Sequence, residues 1–187
     1  DINGRPYSAF AFCSSLKSIT IPNSITNIDY GVFSSCSSLE TITIPNGVTS
    51  IGKCAFSDCD SLKSIVLPEG VTSIGSAAFS GCRSLQSATI SNSGVTSIGA
   101  YTFARCFNLK SLTIPDSVTS ISKYAFACCK NLKTIKIQTT KLKSVGKNAF
   151  LSIKSTATIK VPSEKLNAYK KLLKGKGQAN QVKITKS

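Results

Sequence analysis

The sequence predicts an α/β solenoid, mostly β, of about seven 23-residue rungs, with a parallel β-sheet and a C-terminal helix and strand as a cap. Three periodicities carry this expectation. Phe recurs at Phe10, Phe33, Phe56, Phe79, Phe103, Phe126 and Phe150, at intervals of 23, 23, 23, 24, 23 and 24 residues. Leu follows the first six of these by six residues, at Leu16, Leu39, Leu62, Leu85, Leu109 and Leu132. Cys stands between them at Cys13, Cys36, Cys59, Cys82, Cys106 and Cys129. Self-similarity at a fixed period of roughly 20–50 residues is the mark of stacked repeat architectures.

The unit reads L-x-x-I-x-I-P-x-x-V-x-x-I-G-x-x-A-F-x-x-C-x-x, and Leu39 to Ser61 matches it at every specified position. Ile42 and Ile44 alternate with Thr43, as in a short strand with one buried face. Pro45 lacks an amide donor and ends that strand. The quartet Ile44-Pro45-Asn46-Gly47 has Pro second and Gly fourth, which suits a type I turn. Pro22, Pro68 and Pro115 repeat the signal. Val48 and Ile51 point back inward, Gly52 turns the chain, and Ala55-Phe56 opens a tight segment leading to Cys59. One rung buries too little apolar surface to offset the ordering of its backbone, so neighbours must share core and hydrogen bonds. The two 24-residue intervals place one inserted residue after the strand, within Ser91–Val95 and within Gln138–Leu142. Both are expected to bulge from one edge of the solenoid.

These residues resemble the BspA-like leucine-rich repeats, a family of surface proteins of gut and oral bacteria and some protists. The resemblance lies in F-x-x-C-x-x-L-x-x-I-x-I-P and V-x-x-I-G-x-x-A-F and runs from about Tyr7 to Pro162. It departs from the commoner leucine-rich repeat, because the Cys precedes the strand. It implies a leucine-rich-repeat solenoid, secretion or surface display, and adhesion to host proteins or other cells. It carries no catalytic residue across.

The solenoid is expected over residues 1–162, with an incomplete first rung, and the cap over residues 163–187. No Met is present, and the start at Asp1 reads as a cut through a longer repeat, the alternative being that Asp1–Tyr7 folds over the open core as a poor cap. In the last rung Ile153 replaces Cys and Thr156 replaces Leu. Ser163 then suits a helix N-cap and Glu164 the positive end of a helix. Leu166, Tyr169, Leu172 and Leu173 form an apolar stripe with Lys165, Lys170, Lys171 and Lys174 outside it. Gly175 is a natural stop, and Val182 and Ile184 alternate like a final strand.

Composition excludes several chemistries. There is no His, so Ser–His–Asp and Cys–His catalysis and His-based metal sites are out of reach. The eight Asp and Glu are scattered at non-equivalent positions. No enzyme activity, metal or cofactor is expected. The Cys ladder is read as small buried hydrophobes with free thiols, because stacked side chains run parallel and do not face one another. Cys54 and Cys128 lie off the ladder and are expected to be more exposed. No apolar run is long enough for a membrane span.

A binding role is left. The outward strand positions form columns on the inner face of the expected arc. One is Ser18, Thr41, Ser64, Ser87, Ser111 and Thr134. Thr20, Thr43, Val66, Thr89, Thr113 and Lys136 make a second, and Lys17, Glu40, Lys63, Gln86, Lys110 and Lys133 a third at the strand edge. Thr is also a good strand former, so the first two columns have a purely structural reading as well. Tyr101, Tyr124, Arg105 and Phe107 form an alternative aromatic and basic patch. The net charge of +15 is concentrated at one end. Residues 1–140 carry 11 Lys/Arg against 7 acids, while residues 141–187 carry 12 Lys and only Glu164. The second segment has no Arg and only Tyr169 to stack on a base, so nucleic acid is not expected, whereas contact with an anionic cell-wall or glycan polymer remains open. The reading is therefore a monomeric, surface-displayed or secreted adhesion module for a protein or glycan ligand. The competing reading is a spacer that projects a neighbouring domain.

Overall fold

A computed structural model describes residues 8–91 and 94–187. Each of the first six rungs contributes one long and one short strand. The first three rungs supply β1 (Ser18–Thr20), β2 (Asn27–Ile28), β3 (Thr41–Thr43), β4 (Ser50–Ile51), β5 (Ser64–Leu67) and β6 (Ser73–Ile74). The next three supply β7 (Ser87–Ile90), β8 (Ser97–Ile98), β9 (Ser111–Ile114), β10 (Ser120–Ile121), β11 (Thr134–Ile137) and β12 (Ser144–Val145). The seventh rung supplies β13 (Thr158–Val161), and the cap supplies a 3₁₀ turn (Ser163–Lys165), helix α1 (Leu166–Leu173) and β14 (Lys183–Lys186).

All strand pairs are parallel, and the register advances by one repeat unit per rung. Ser18 pairs with Thr41, Ser64 with Ser87, Ser111 with Thr134, and Thr134 with Thr158. The long strands form one ladder, interrupted between β3 and β5, and the short ones a second, interrupted between β6 and β8. The solenoid of about seven turns expected from the period is the fold observed.

A third set of inter-rung bonds runs through the Phe turns. Cys54, Phe56 and Asp58 donate their N–H groups to Ser76, Ala78 and Ser80 of the next rung, at 3.0, 2.8 and 2.7 Å. From Phe33 to Phe150 the residues two before and two after each Phe of the column have positive φ, as at Cys54 (56°) and Asp58 (57°), or Tyr101 (59°) and Arg105 (61°). Left-handed backbone at a non-Gly residue costs about 1–2 kcal/mol. A backbone hydrogen bond contributes about 0.5–1.5 kcal/mol. Conformational strain and inter-rung bonding are therefore of similar size, and the packing of Phe decides the balance. The seven Phe rings stack in one column with centroids 5.3–5.9 Å apart and planes within 14°. From Phe56 to Phe150 they are fully buried.

Four expectations need correction. The Pro turn closes one residue later than the quartet suggested, because Val48 N–H bonds to Pro45 O at 3.0 Å. Pro thus opens the turn, and the same bond recurs from Ile25, Val71 and Val118 to Pro22, Pro68 and Pro115. The insertion within Gln138–Leu142 does not simply bulge outward: Thr139 is fully buried and bonded to α1, while Thr140 and Lys141 are exposed. The other insertion includes residues 92 and 93, which lie outside the described residues. Ser163 does not cap a helix, since it begins the 3₁₀ turn and no side-chain bond caps either helical segment. Tyr169 is buried and cannot stack on a base.

The cap itself extends the ladders. β14 pairs with β13, placing Lys183 beside Thr158 and Ile184 beside Ile159. Lys176 O accepts the Phe150 N–H at 2.9 Å, so the post-helix segment takes the place of a next Phe turn. Gly177 is required there: its φ is +92°, and an added Cβ would lie 3.0 Å from the Asn148 and Leu151 backbone.

Candidate binding face

The two candidate columns and the strand-edge row come together on the solvent side of the long-strand sheet. Lys17, Thr20, Thr43, Lys63, Val66, Gln86, Thr89, Lys110, Lys133 and Lys136 are exposed, while Glu40 and Thr113 are half-exposed. For the two columns the cause is the strand period of two: Ile65, Leu67, Ile135 and Ile137 point into the core, and their neighbours within the strand must point out. The edge row stands one residue before each strand, outside that alternation. The face is polar except at Val66, which is 58% exposed. A shallow groove of about 780 Å³ lies beside it, lined by Thr41, Thr43, Ser64, Val66, Pro68 and Glu69. The groove coincides with the interruption between β3 and β5.

Charge divides this face. In the N-terminal half Lys63 Nζ lies 2.6 Å from Glu40 Oε2. That contact, joined by the charge of Lys17, pulls the Glu40 carboxyl below its ordinary range. Lys110 Nζ reaches Gln86 Oε1 at 3.2 Å. From β9 onward the face carries Lys110, Lys133, Lys136, Lys160 and Lys183, all exposed. Lys136 and Lys160 are direct register partners on adjacent strands. β9, β11, β13 and β14 contain no acidic residue. The Lys160 and Lys183 positions lie outside the columns read from the sequence, which stop at the sixth rung because the Phe–Cys–Leu signature fades in the seventh.

The alternative aromatic patch resolves into two pairwise contacts. Tyr101 stacks on Tyr124 with centroids 5.0 Å apart, and Asn148 Nδ2 donates to the Tyr124 hydroxyl at 3.0 Å. Phe107 instead receives Lys130 Nζ over its ring at 5.4 Å. Arg105 is exposed between these sets in sequence.

The thiols are all free. Each described ladder thiol after the first donates to the carbonyl of the Phe one rung earlier. Cys36 reaches Phe10 O, Cys59 Phe33 O, Cys82 Phe56 O, Cys106 Phe79 O and Cys129 Phe103 O, at 3.0–3.2 Å. The ladder Cys is thus a small apolar filler with a weak S–H donor, which neither Ala nor Val supplies. Burial pushes Cys59 and Cys129 up to about 12 and raises Cys82 and Cys106 well above their ordinary value. Cys13 departs from the expected burial and is exposed, because no described rung lies over it. Cys54 and Cys128 are half-buried and sit at left-handed positions flanking the Phe column. Among the described residues no cluster of His, Cys, Asp or Glu could hold a metal ion. Nor is any described helix long and apolar enough to cross a membrane.

The sequence matches the BspA type leucine rich repeat region in six copies, over residues 6–95 and 81–187. The chain belongs to the BspA-type leucine-rich-repeat family. Among solved structures it is similar to a leucine-rich repeat protein from Bacteroides ovatus, with 29% identity and a TM-score of 0.74 over 96% of this chain. It is also similar to a leucine rich cell surface protein from Faecalibacterium prausnitzii, with 27% identity and a TM-score of 0.55 over 91% of this chain. This BspA-type chain spans about half of each, 48% in both cases. A leucine rich repeat protein of T. pallidum shares the fold at 24% identity and a TM-score of 0.63, over 87% of this chain and 86% of that one. No curated protein matches it significantly. The family and these similar structures, bacterial leucine-rich-repeat proteins, are consistent with a non-enzymatic repeat module.

Proposed function

We propose that this chain is a monomeric, non-enzymatic adhesion module, displayed at a cell surface or secreted, whose exposed long-strand face engages a protein or glycan partner. The observation that carries the reading is the face itself. Parallel strands in register hold rows of Ser, Thr and Lys in the open, with their backbone bonds already satisfied by neighbouring rungs. Such pre-organised surfaces bind partners without an ordering penalty. Membership of the BspA-type family and the similarity to a cell surface protein support display outside the cell. Retention of the purified chain on matrix proteins, mucins and bacterial cells tests this. Retention on at least one surface is expected, reduced by Lys or Glu replacements of Thr43 and Thr89. A chain held by none of them contradicts the reading.

A spacer role has one observation in its favour: the chain spans only about half of its longer structural relatives. In that case binding would belong to a neighbouring segment, and replacements on the sheet face would leave adhesion of the longer protein unchanged.

A further inference from the structure

We infer that the C-terminal half of the exposed sheet face binds a linear acidic polysaccharide, laid across the strands from β9 to β14. This rests on the binding-module reading and adds a ligand class and a location. Five exposed lysines lie there, Lys136, Lys160 and Lys183 within the strands and Lys110 and Lys133 at the strand edge, with no carboxylate in β9, β11, β13 or β14. Their placement follows from register. Lys136 lies opposite Lys160, Lys183 lies opposite Thr158, and Lys133 N–H bonds to Lys110 O at 2.8 Å on the neighbouring rung.

Like charges directly opposite on a sheet disfavour the fold. Here none of them is relieved by an acid, whereas Lys63 in the N-terminal half has Glu40. Adjacent strands are about 4.8 Å apart, less than the Debye length of about 8 Å at physiological ionic strength. The five ammonium groups therefore act as one extended positive strip. A sugar ring in an extended chain advances by about one strand spacing, so carboxylates or sulfates along such a chain meet successive rungs. Ser111, Thr134 and Thr158 form a hydroxyl row beside the strip, suited to sugar hydroxyls. The strip has no aromatic side chain and no Arg, which removes the base stacking and bidentate phosphate contacts that favour nucleic acid.

The test uses the full chain and four probes: a heparin oligosaccharide, a polygalacturonate oligosaccharide, neutral dextran and oligothymidylate. Binding to at least one acidic oligosaccharide is expected, with none to dextran and weaker binding to oligothymidylate. Affinity should fall at least about tenfold between about 50 and 200 mM salt. Heparin alone would indicate sulfate as the recognised group, and polygalacturonate carboxylate. The variant K133Q/K136Q/K160Q should bind at least about tenfold more weakly with unchanged circular dichroism. The variant K170Q/K171Q/K174Q removes the same charge from the cap and should bind as the parent does. Equal losses in the two variants, or tighter binding of oligothymidylate, overturn the inference. A chain that adheres to a matrix protein but ignores both polyanions also refutes it, while leaving the binding-module reading in place. A chain retained by nothing defeats both.

Discussion

The Tyr169 hydroxyl donates to the Thr139 carbonyl at 3.0 Å and accepts the Leu142 N–H at 2.9 Å. One side chain of the capping helix thereby satisfies two backbone groups of the inserted turn in the sixth rung. Thr139 Oγ1 takes the Lys141 N–H at 3.0 Å and completes the local network. Tyr169→Phe keeps the ring and removes both bonds. A buried donor and acceptor left unpaired cost about 1–3 kcal/mol each. A loss of about 2–4 kcal/mol is expected, read from the denaturant midpoint. A change below about 0.5 kcal/mol would show that water replaces the hydroxyl.

Gly75 and Ala77 should respond in opposite senses to their exchange. A Cβ at Gly75 would strike the Lys53 backbone nitrogen of the preceding rung. Gly75→Ala should therefore destabilise by about 1–3 kcal/mol. Ala77 has a φ of 56°, where Gly carries no steric penalty. Ala77→Gly should be neutral or stabilising by up to about 1 kcal/mol, against the usual direction of that substitution. Thermal midpoints of the two variants decide the matter.

Thiol reactivity should follow the ladder. In the native chain Cys13 should react fastest, Cys54 and Cys128 more slowly, and Cys59, Cys82, Cys106 and Cys129 only after unfolding. A denatured, unreduced sample should titrate near eight thiols. A count near two would mean that the ladder is oxidised in pairs.

Stability should decline in alkali. A ladder thiol that stays protonated to about pH 12 when folded ionises near its ordinary value of 9.0 when unfolded. Between those values the folded chain binds more protons, so stability falls as pH rises. Below pH 9 both states are protonated and the thiols leave stability flat. The slope is about 1.4 kcal/mol per pH unit for each such thiol. Denaturant midpoints from pH 7 to 11 should show this decline, and C59A/C129A should make it shallower, with Cys82 and Cys106 still contributing. An unchanged slope in that variant would assign the loss to other groups.

Much of this molecule is legible in its sequence. The Phe, Leu and Cys periods determined the rung, the stack, the buried columns and the outward rows, because a solenoid repeats one local solution and each core position recurs in the sequence. The apolar stripe of α1 was legible for the same reason, as a helix shows its buried face in its spacing. What the period does not contain was decided only by tertiary structure. The left-handed φ values at Cys54 and Asp58 arise because alternate N–H groups meet carbonyls of the next rung, a demand that no residue type announces. The role of the ladder thiols depends on a Phe carbonyl 26 or 27 residues earlier. Burial of Thr139 depends on Tyr169, 30 residues away, and turns an apparent bulge into a docking point. The lysine strip joins two regions that sequence reading kept apart, the strand columns and the basic C-terminus, because β13 and β14 continue the sheet after the repeat signature has faded.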